Sequence, residues 1–155
     1  MEQEELRLRK GGAVTVPVAG NAAAYVDTFR RRYDPHVDLI MPHITLAFAA
    51  ELDACDWMPV RSRIQAALAD MPPFDLQVRA VDTFPDSLVL WLKPDDPDGQ
   101  VATLRNCIMS TFHGVEFDHA DNFVPHISIG FFETPEQLEA ARTVVARELV
   151  PFSFH

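Results

Sequence analysis

The chain has 155 residues, of which 48% are hydrophobic and 23% are charged. This composition is typical of one globular domain and excludes a disordered or fibrous chain. Lys and Arg number 13 against 23 Asp and Glu, so the formal net charge is −10. That charge disfavours binding to duplex DNA or long RNA, but it is compatible with a small phosphorylated ligand in a local pocket.

The predicted elements alternate irregularly between strands and helices. Strands are predicted over residues 13–18, 37–48, 74–81, 87–92 and 123–131 and from 150 onward, and helices over 22–32, 57–69, 101–112 and 135–149. Asp56 and Thr134 stand at the capping positions of the second and fourth helices. Several strands follow one another as hairpin pairs, which favours an α+β fold with antiparallel sheets over a doubly wound parallel one.

The N-terminus and the cysteines indicate a cytoplasmic protein. Residues 1–10 are charged and lack the apolar segment of a secretory signal, and no apolar run approaches the ~20 residues of a membrane span. Cys55 and Cys107 have neither close spacing nor a neighbouring His, so they predict neither a disulfide framework nor a zinc site. We expect residues 1–10 to be a flexible arm and the whole chain to be a single, monomeric domain without membrane contact.

One internal repeat carries the functional signal. Pro-His-Ile-Thr-Leu-Ala-Phe at 42–48 and Pro-His-Ile-Ser-Ile-Gly-Phe at 125–131 align without a gap, 83 positions apart. Duplication of a fold explains repeated Pro, Ile and Phe, but it gives no reason to repeat a His together with a hydroxyl. The pairs His43/Thr45 and His126/Ser128 are therefore candidate functional residues.

Strand alternation predicts which side chains of the repeat share a face. His43, Thr45 and Ala47 would point one way, as would His126, Ser128 and Gly130. The other face, predicted to be core, would carry Ile44, Leu46 and Phe48 in the first motif and Ile127, Ile129 and Phe131 in the second. If the two halves pack about a pseudo-two-fold axis, the two His/hydroxyl faces would meet across a cleft, where Ala47 and Gly130 would leave space for a ligand.

Two histidines across a cleft suit phosphoester chemistry. A neutral imidazole accepts a proton from the attacking water or hydroxyl, and a protonated imidazole donates one to the leaving oxygen. The Thr45 and Ser128 hydroxyls would donate hydrogen bonds to the phosphoryl oxygens. This chemistry needs neither a metal nor another cofactor.

At these residues the chain resembles the 2H phosphoesterase superfamily, in particular the 2'-5' RNA ligase-like (LigT-like) proteins. The resemblance also includes Arg-Tyr-Asp-Pro at 32–35, Phe-Asp-Leu at 74–76 and Thr-Phe-Pro at 83–85. It implies a bilobal fold, with two antiparallel sheets facing a central cleft and helices outside. It also implies metal-independent action on 2',3'-cyclic or 2',5'-linked phosphoesters of a small nucleotide or RNA terminus, with possible reverse ligase activity. His43 and His126 would be catalytic, and Thr45 and Ser128 would bind the substrate.

The sequence departs from that family in two places. Many relatives have an arginine shortly after a motif, where Phe48 and Phe131 stand here, and relatives usually continue through a further C-terminal strand. Two alternatives therefore stay open: a nucleotide-binding or regulatory module with little turnover, and a hydrolase of a cyclic nucleotide signal.

Other polar and aromatic residues have simpler interpretations. A third alternative function, metal-dependent hydrolysis, would use a site at His113 and His119 with Asp118 and Asp121, but their spacing matches no strong ligand pattern and favours loop residues. Arg30, Arg31 and Arg32 could steer a phosphate, although a solvated helix end explains them better. Trp57 and Trp91 could stack on a base, and Trp91 fits a core strand better.

Overall fold

The computed structural model describes residues 12–49, 57–112 and 122–155. Six strands and four helices are present in this part of the chain. In order they are β1 (Gly12–Pro17), α1 (Gly20–Tyr33), β2 (His43–Ala49), α2 (Trp57–Leu68), β3 (Leu76–Thr83), β4 (Val89–Asp95), α3 (Gln100–Met109), β5 (Ile127–Phe131), α4 (Pro135–Glu148) and β6 (Phe152–Phe154).

The strands form two antiparallel sheets, as the sequence predicts for an α+β fold. One sheet pairs β1 with β2, and the other has the order β5-β4-β3-β6. Helix α3 packs against β2 and α2, while α1 contacts β5 and β6 and α4 contacts β3 and β4. The helix that follows β1 in the chain therefore packs on the other sheet, which ties the two halves together.

The buried core runs through both sheets and their helices. Ile44 and Leu46 on β2 are at most 3% exposed, and Ile127 and Ile129 on β5 are fully buried. Helix α4 begins as predicted, because the Thr134 hydroxyl accepts a hydrogen bond from the Gln137 backbone N–H at 3.3 Å. The two motif strands are thus held from behind by apolar packing, which fixes the direction of their other face.

Two predicted strands are shorter than expected. The strand predicted over 37–48 begins only at His43, since residues 35–39 form turns that are held by the side chain of Asp34. The strand predicted over 123–131 begins at Ile127. At the C-terminal end, Phe152–Phe154 pairs with β3 as an edge strand of the larger sheet.

Several sequence predictions concern residues outside the described ranges. These are the proposed arm at 1–10, Cys55, the capping Asp56, and the loop candidates His113, Asp118, His119 and Asp121; the Trp57 side chain is likewise not described. Cys107 is half-buried. Within the described ranges, no helix is long and apolar enough to cross a membrane.

Candidate active site

The two repeated motifs lie on strands that contact each other. His43 is the first residue of β2, and His126 immediately precedes β5. Strand β2 packs against β5 although the two belong to different sheets. The structure thus brings the two motif strands into contact.

Both motif strands contain a β-bulge at the same place. In the first sheet Val14 pairs with Ala47 and Thr15 pairs with Thr45, so Leu46 is an extra residue. In the second sheet Leu90 pairs with Gly130 and Trp91 with Ser128, so Ile129 is extra in the same way. A bulge opposes two residues to one and changes the direction of the side chains that follow it.

The bulges correct the prediction that strict alternation continues to the end of each motif. Phe48 and Phe131 were expected in the core, but they are 40% and 43% exposed. Ala47 and Gly130, expected on the ligand face, are buried instead. The extra residue in each strand explains both differences, because it shifts every later side chain to the opposite face.

Each of the two histidines makes the same type of hydrogen bond to the backbone. Nδ1 of His43 lies 2.8 Å from the Met41 carbonyl oxygen, and Nδ1 of His126 lies 2.8 Å from the Val124 carbonyl oxygen. A carbonyl oxygen only accepts, so Nδ1 carries the proton in both rings. Nε2 is therefore the nitrogen of each ring that is able to exchange a proton with a ligand.

A small pocket joins the first histidine to the hydroxyl of the second motif. Its volume is about 160 Å³. His43 and Ser128 line it together with Phe131, and its remaining polar lining comes from Arg30, Asp34 and His36. Thr45 and His126 are not among its described lining residues.

Gly130 serves packing, and this corrects the expectation that it leaves space for a ligand. A Cβ at this position would lie 2.7 Å from the Cβ of Tyr33 on α1 and 2.9 Å from Cε2 of Phe132. Helix α1 thus occupies the space that the missing side chain provides. The small residue lets α1, which carries Arg30 and leads to Asp34, approach β5 closely.

Arg30 is buried, whereas the sequence interpretation places it on a solvated helix end together with Arg31 and Arg32. Only 2% of its surface is exposed. Its Nε donates to Asp34 Oδ2 at 2.8 Å and Nη1 donates to Asp27 Oδ1 at 2.9 Å, while Nη2 donates to the Ile40 carbonyl at 2.7 Å. Arg30 thereby fixes the loop that leads into His43, and the i,i+4 spacing of Arg30 and Asp34 is the sequence signal that could have identified the pair.

The two histidines have different surroundings. The ring of His126 lies edge-on to Phe84 and Trp91, with centroid distances of 5.0 and 5.8 Å. Trp91 is 3% exposed, which confirms its prediction as a core residue. His43, by contrast, shares its pocket with the ionic group formed by Arg30 and Asp34. The same histidine–carbonyl hydrogen bond therefore lies among aromatic residues at His126 and beside charged residues at His43.

A second buried arginine supports the bulge of β2. Arg105 on α3 is 8% exposed, and its Nε donates to the Leu46 carbonyl at 3.0 Å. Its guanidinium also lies 4.7 Å from the ring centroid of Phe123, in the segment that leads to the second motif. Arg105 thus contacts both motif regions, and nothing in the local sequence distinguishes it from a surface arginine.

The described residues contain no group of three or more His, Cys, Asp or Glu side chains that could hold a metal ion. The histidines and aspartates of 113–121, considered above as possible ligands, are outside those residues.

Comparison with known proteins identifies the family. Relatives include proteins named "Putative phosphoesterase" from Halalkalibacterium halodurans, with 35% identity over 67% of this chain, and from Geobacillus kaustophilus, with 31% identity over 68%. Each alignment spans 60% of the relative's own length. A Staphylococcus saprophyticus protein with the same descriptive name is 29% identical over 74% of this chain and 66% of its own. The profile of the 2'-5' RNA ligase superfamily matches residues 17–155, and the chain belongs to that superfamily.

Proposed function

We propose that the protein is a phosphodiesterase that hydrolyses a 2',3'-cyclic phosphate or a 2',5'-linked phosphoester of a small nucleotide or RNA terminus. The observation that carries the proposal is the repeated histidine geometry. Two imidazoles at the beginnings of contacting strands each donate Nδ1–H to the carbonyl two residues earlier. Two rings held in one tautomer, each with Nε2 directed away from its carbonyl, are what an acid–base pair requires. The names of the relatives agree with this class of reaction.

The reaction follows from these two nitrogens. Nε2 of one histidine accepts a proton from water as its oxygen forms the new bond to phosphorus. Nε2–H of the other histidine donates a proton to the ribose oxygen as the old P–O bond breaks. The product is a phosphomonoester and a free hydroxyl, and the two rings finish with their protonation states exchanged. Ser128 and Thr45 would donate hydrogen bonds to the non-bridging oxygens.

The size of the pocket supports binding of the phosphoryl group, and not of the whole nucleotide, at this site. Its volume of about 160 Å³ is below the roughly 300 Å³ at which pockets for whole drug-sized ligands begin. A phosphoryl group would lie in it beside His43 and Ser128, with the nucleoside outside. His126 and Thr45, which are not among the described lining residues, would have to reach the phosphoryl group from the pocket opening. The exposed ring of Phe131, which also lines the pocket, offers the nucleoside an apolar surface.

The test is hydrolysis of a panel of 2',3'-cyclic nucleotides, 2',5'-linked dinucleotides and 3',5'-cyclic nucleotides with EDTA present. We expect turnover with a bell-shaped pH–rate profile, and a fall of at least about 100-fold in kcat for His43→Ala and for His126→Ala. His155→Ala is the matched control, because His155 is exposed and bonded to Asp75 away from this pocket.

Other outcomes distinguish the remaining candidates. Cleavage of only the 3',5'-cyclic substrates would indicate a hydrolase of a cyclic nucleotide signal. Nucleotide binding without product would indicate a binding module. Turnover that EDTA abolishes, or that survives in the His43→Ala/His126→Ala double variant, would refute the two-histidine mechanism.

A further inference from the structure

A third histidine lies in the pocket that contains His43 and Ser128. His36 is in the turn that follows α1 and belongs to the lining of that pocket. Its Nδ1 lies 3.4 Å from Asp34 Oδ1, and its ring stands at 90° to Phe131 with a centroid distance of 5.6 Å. The side chain is 56% exposed, so its position is set by these contacts and not by burial in the core.

The buried carboxylate of Asp34 binds the backbone of His36 and lies close to its ring. Asp34 Oδ1 accepts the His36 backbone N–H at 2.8 Å, and its Oδ2 accepts from Arg30. The His36 carbonyl in turn accepts the backbone N–H of Leu39 at 2.9 Å. Because Nδ1 lies 3.4 Å from Asp34 Oδ1, Nε2 on the other side of the ring is the nitrogen that would reach a ligand.

Arg30 does not supply a free positive charge to the pocket. Arg30 already donates to two carboxylates, those of Asp27 and Asp34, and to a backbone carbonyl. Of these side chains, Arg30 and Asp34 line the pocket and their charges cancel, so this pair supplies no net positive charge to a phosphoryl anion. His43 is assigned to proton transfer in the proposed reaction. A protonated His36 would add a positive charge to the pocket lining, with its Nδ1 3.4 Å from Asp34 Oδ1.

We propose that His36 is an anion-binding residue of the active site, and that its Nε2–H donates to the phosphoryl oxygens held beside His43 and Ser128. This proposal rests on the proposed function for the identity of the ligand. It assigns His36 to substrate binding, so its loss should weaken binding much more than it slows the chemical step.

The test uses sulfate as the probe, since sulfate has the shape and charge of a phosphoryl group and cannot react. Binding is measured by calorimetry at pH 5.5, where histidine side chains are ordinarily protonated, and the backbone amide resonance of Ser128 reports whether the anion enters this pocket. We expect His36→Gln to weaken sulfate binding about tenfold, the loss expected for one charge-assisted hydrogen bond. His36→Lys should retain most of the affinity, because it keeps the positive charge.

The matched control is His155→Gln, which removes a histidine of similar exposure that also contacts an aspartate and should leave sulfate binding unchanged. Sulfate binding that is equal in the wild type and His36→Gln overturns the proposal, as does a wild type that does not bind sulfate in this pocket. These results are independent of turnover. An active enzyme with an unchanged KM in His36→Gln refutes the role of His36 alone, whereas sulfate binding that depends on His36 in a protein that hydrolyses no substrate of the panel refutes the proposed function alone.

Discussion

The role of Gly130 can be tested by a single methyl group. In Gly130→Ala the new Cβ would lie 2.7 Å from Tyr33 Cβ, roughly 0.7 Å short of the 3.4 Å at which such contacts become ordinary. Tyr33 Cβ is fixed to the backbone of α1 and cannot rotate away. The helix and β5 must therefore move apart, and the apolar contacts between them must loosen.

Overpacking of this kind costs about 1–3 kcal/mol of unfolding free energy. In a chain of this size that corresponds to a fall in Tm of roughly 2–4 °C for each kcal/mol. Urea unfolding followed by far-UV circular dichroism measures the change as a lower midpoint with an unchanged slope. A Phe132→Leu background removes the second contact, to Cε2 and Cζ of Phe132, and should not rescue the variant, because the contact with Tyr33 Cβ remains.

Gly99→Ala separates steric contact from backbone strain. Gly99 has a φ of +64°, and a methyl group added there would have no neighbour within 4 Å, so its substitution should cost about 1–2 kcal/mol through backbone conformation alone. Gly130 is not among the described glycines with a positive φ, so any cost there must come from contact with its neighbours. A Gly130→Ala variant as stable as the wild type would show that α1 does not pack closely on β5, and the packing explanation of this glycine would fail.

Two further predictions concern the arginines of α1. Arg30→Met should lower the free energy of unfolding by about 3–5 kcal/mol in urea, because it leaves the buried carboxylate of Asp34 without its charged partner. The control is Arg31→Met, at a side chain that is 66% exposed, which should change this free energy by less than about 0.5 kcal/mol. Equal effects of the two substitutions would refute the assignment of Arg30 and Asp34 as a buried pair. The hydrogen bond from Arg32 to Glu148 raises the pKa of Arg32. The contribution of this pair to the free energy of unfolding is therefore complete at every pH below the ordinary arginine range. Titration of Arg32 should not change that contribution between pH 6 and pH 9. Since both side chains of that pair are more than a third exposed, Arg32→Ala should cost only about 0.2–1 kcal/mol and less at high salt; a larger loss that persists in high salt would contradict this.

The sequence predicted that the two repeated motifs lie on neighbouring strands, and it did so for a physical reason. The repeat is visible without knowledge of the partner strands, and β2 and β5, which begin at His43 and directly after His126, are in contact. The faces of Ile44 and Ile127 follow from the same alternation, and both are fully buried. Up to the hydroxyl residue, local pattern and tertiary structure agree.

Beyond the hydroxyl, the prediction fails because the bulge belongs to a pair of strands. Whether Leu46 has its own partner on β1 or is the extra residue of a bulge depends on the register of β1 against β2. The sequence of β2 alone does not determine that register. The burial of Arg30 is of the same kind. Helical periodicity places it at the end of α1, but only the packing of α1 on β5 and the path of the following loop enclose it.

The surroundings of the two histidines differ, and the proposed reaction would use that difference. Identical bonds from Nδ1 to the carbonyl two residues earlier give the two rings the same tautomer. An acid and a base in one reaction must nevertheless differ in protonation, and a symmetric pair of sites provides no basis for that difference. The surroundings do provide one: aromatic rings of Phe84 and Trp91 at His126, and the Arg30–Asp34 pair with His36 at His43. In the proposed reaction, the duplicated backbone would supply two equivalent imidazoles, and the unduplicated residues around them would distinguish the proton donor from the proton acceptor.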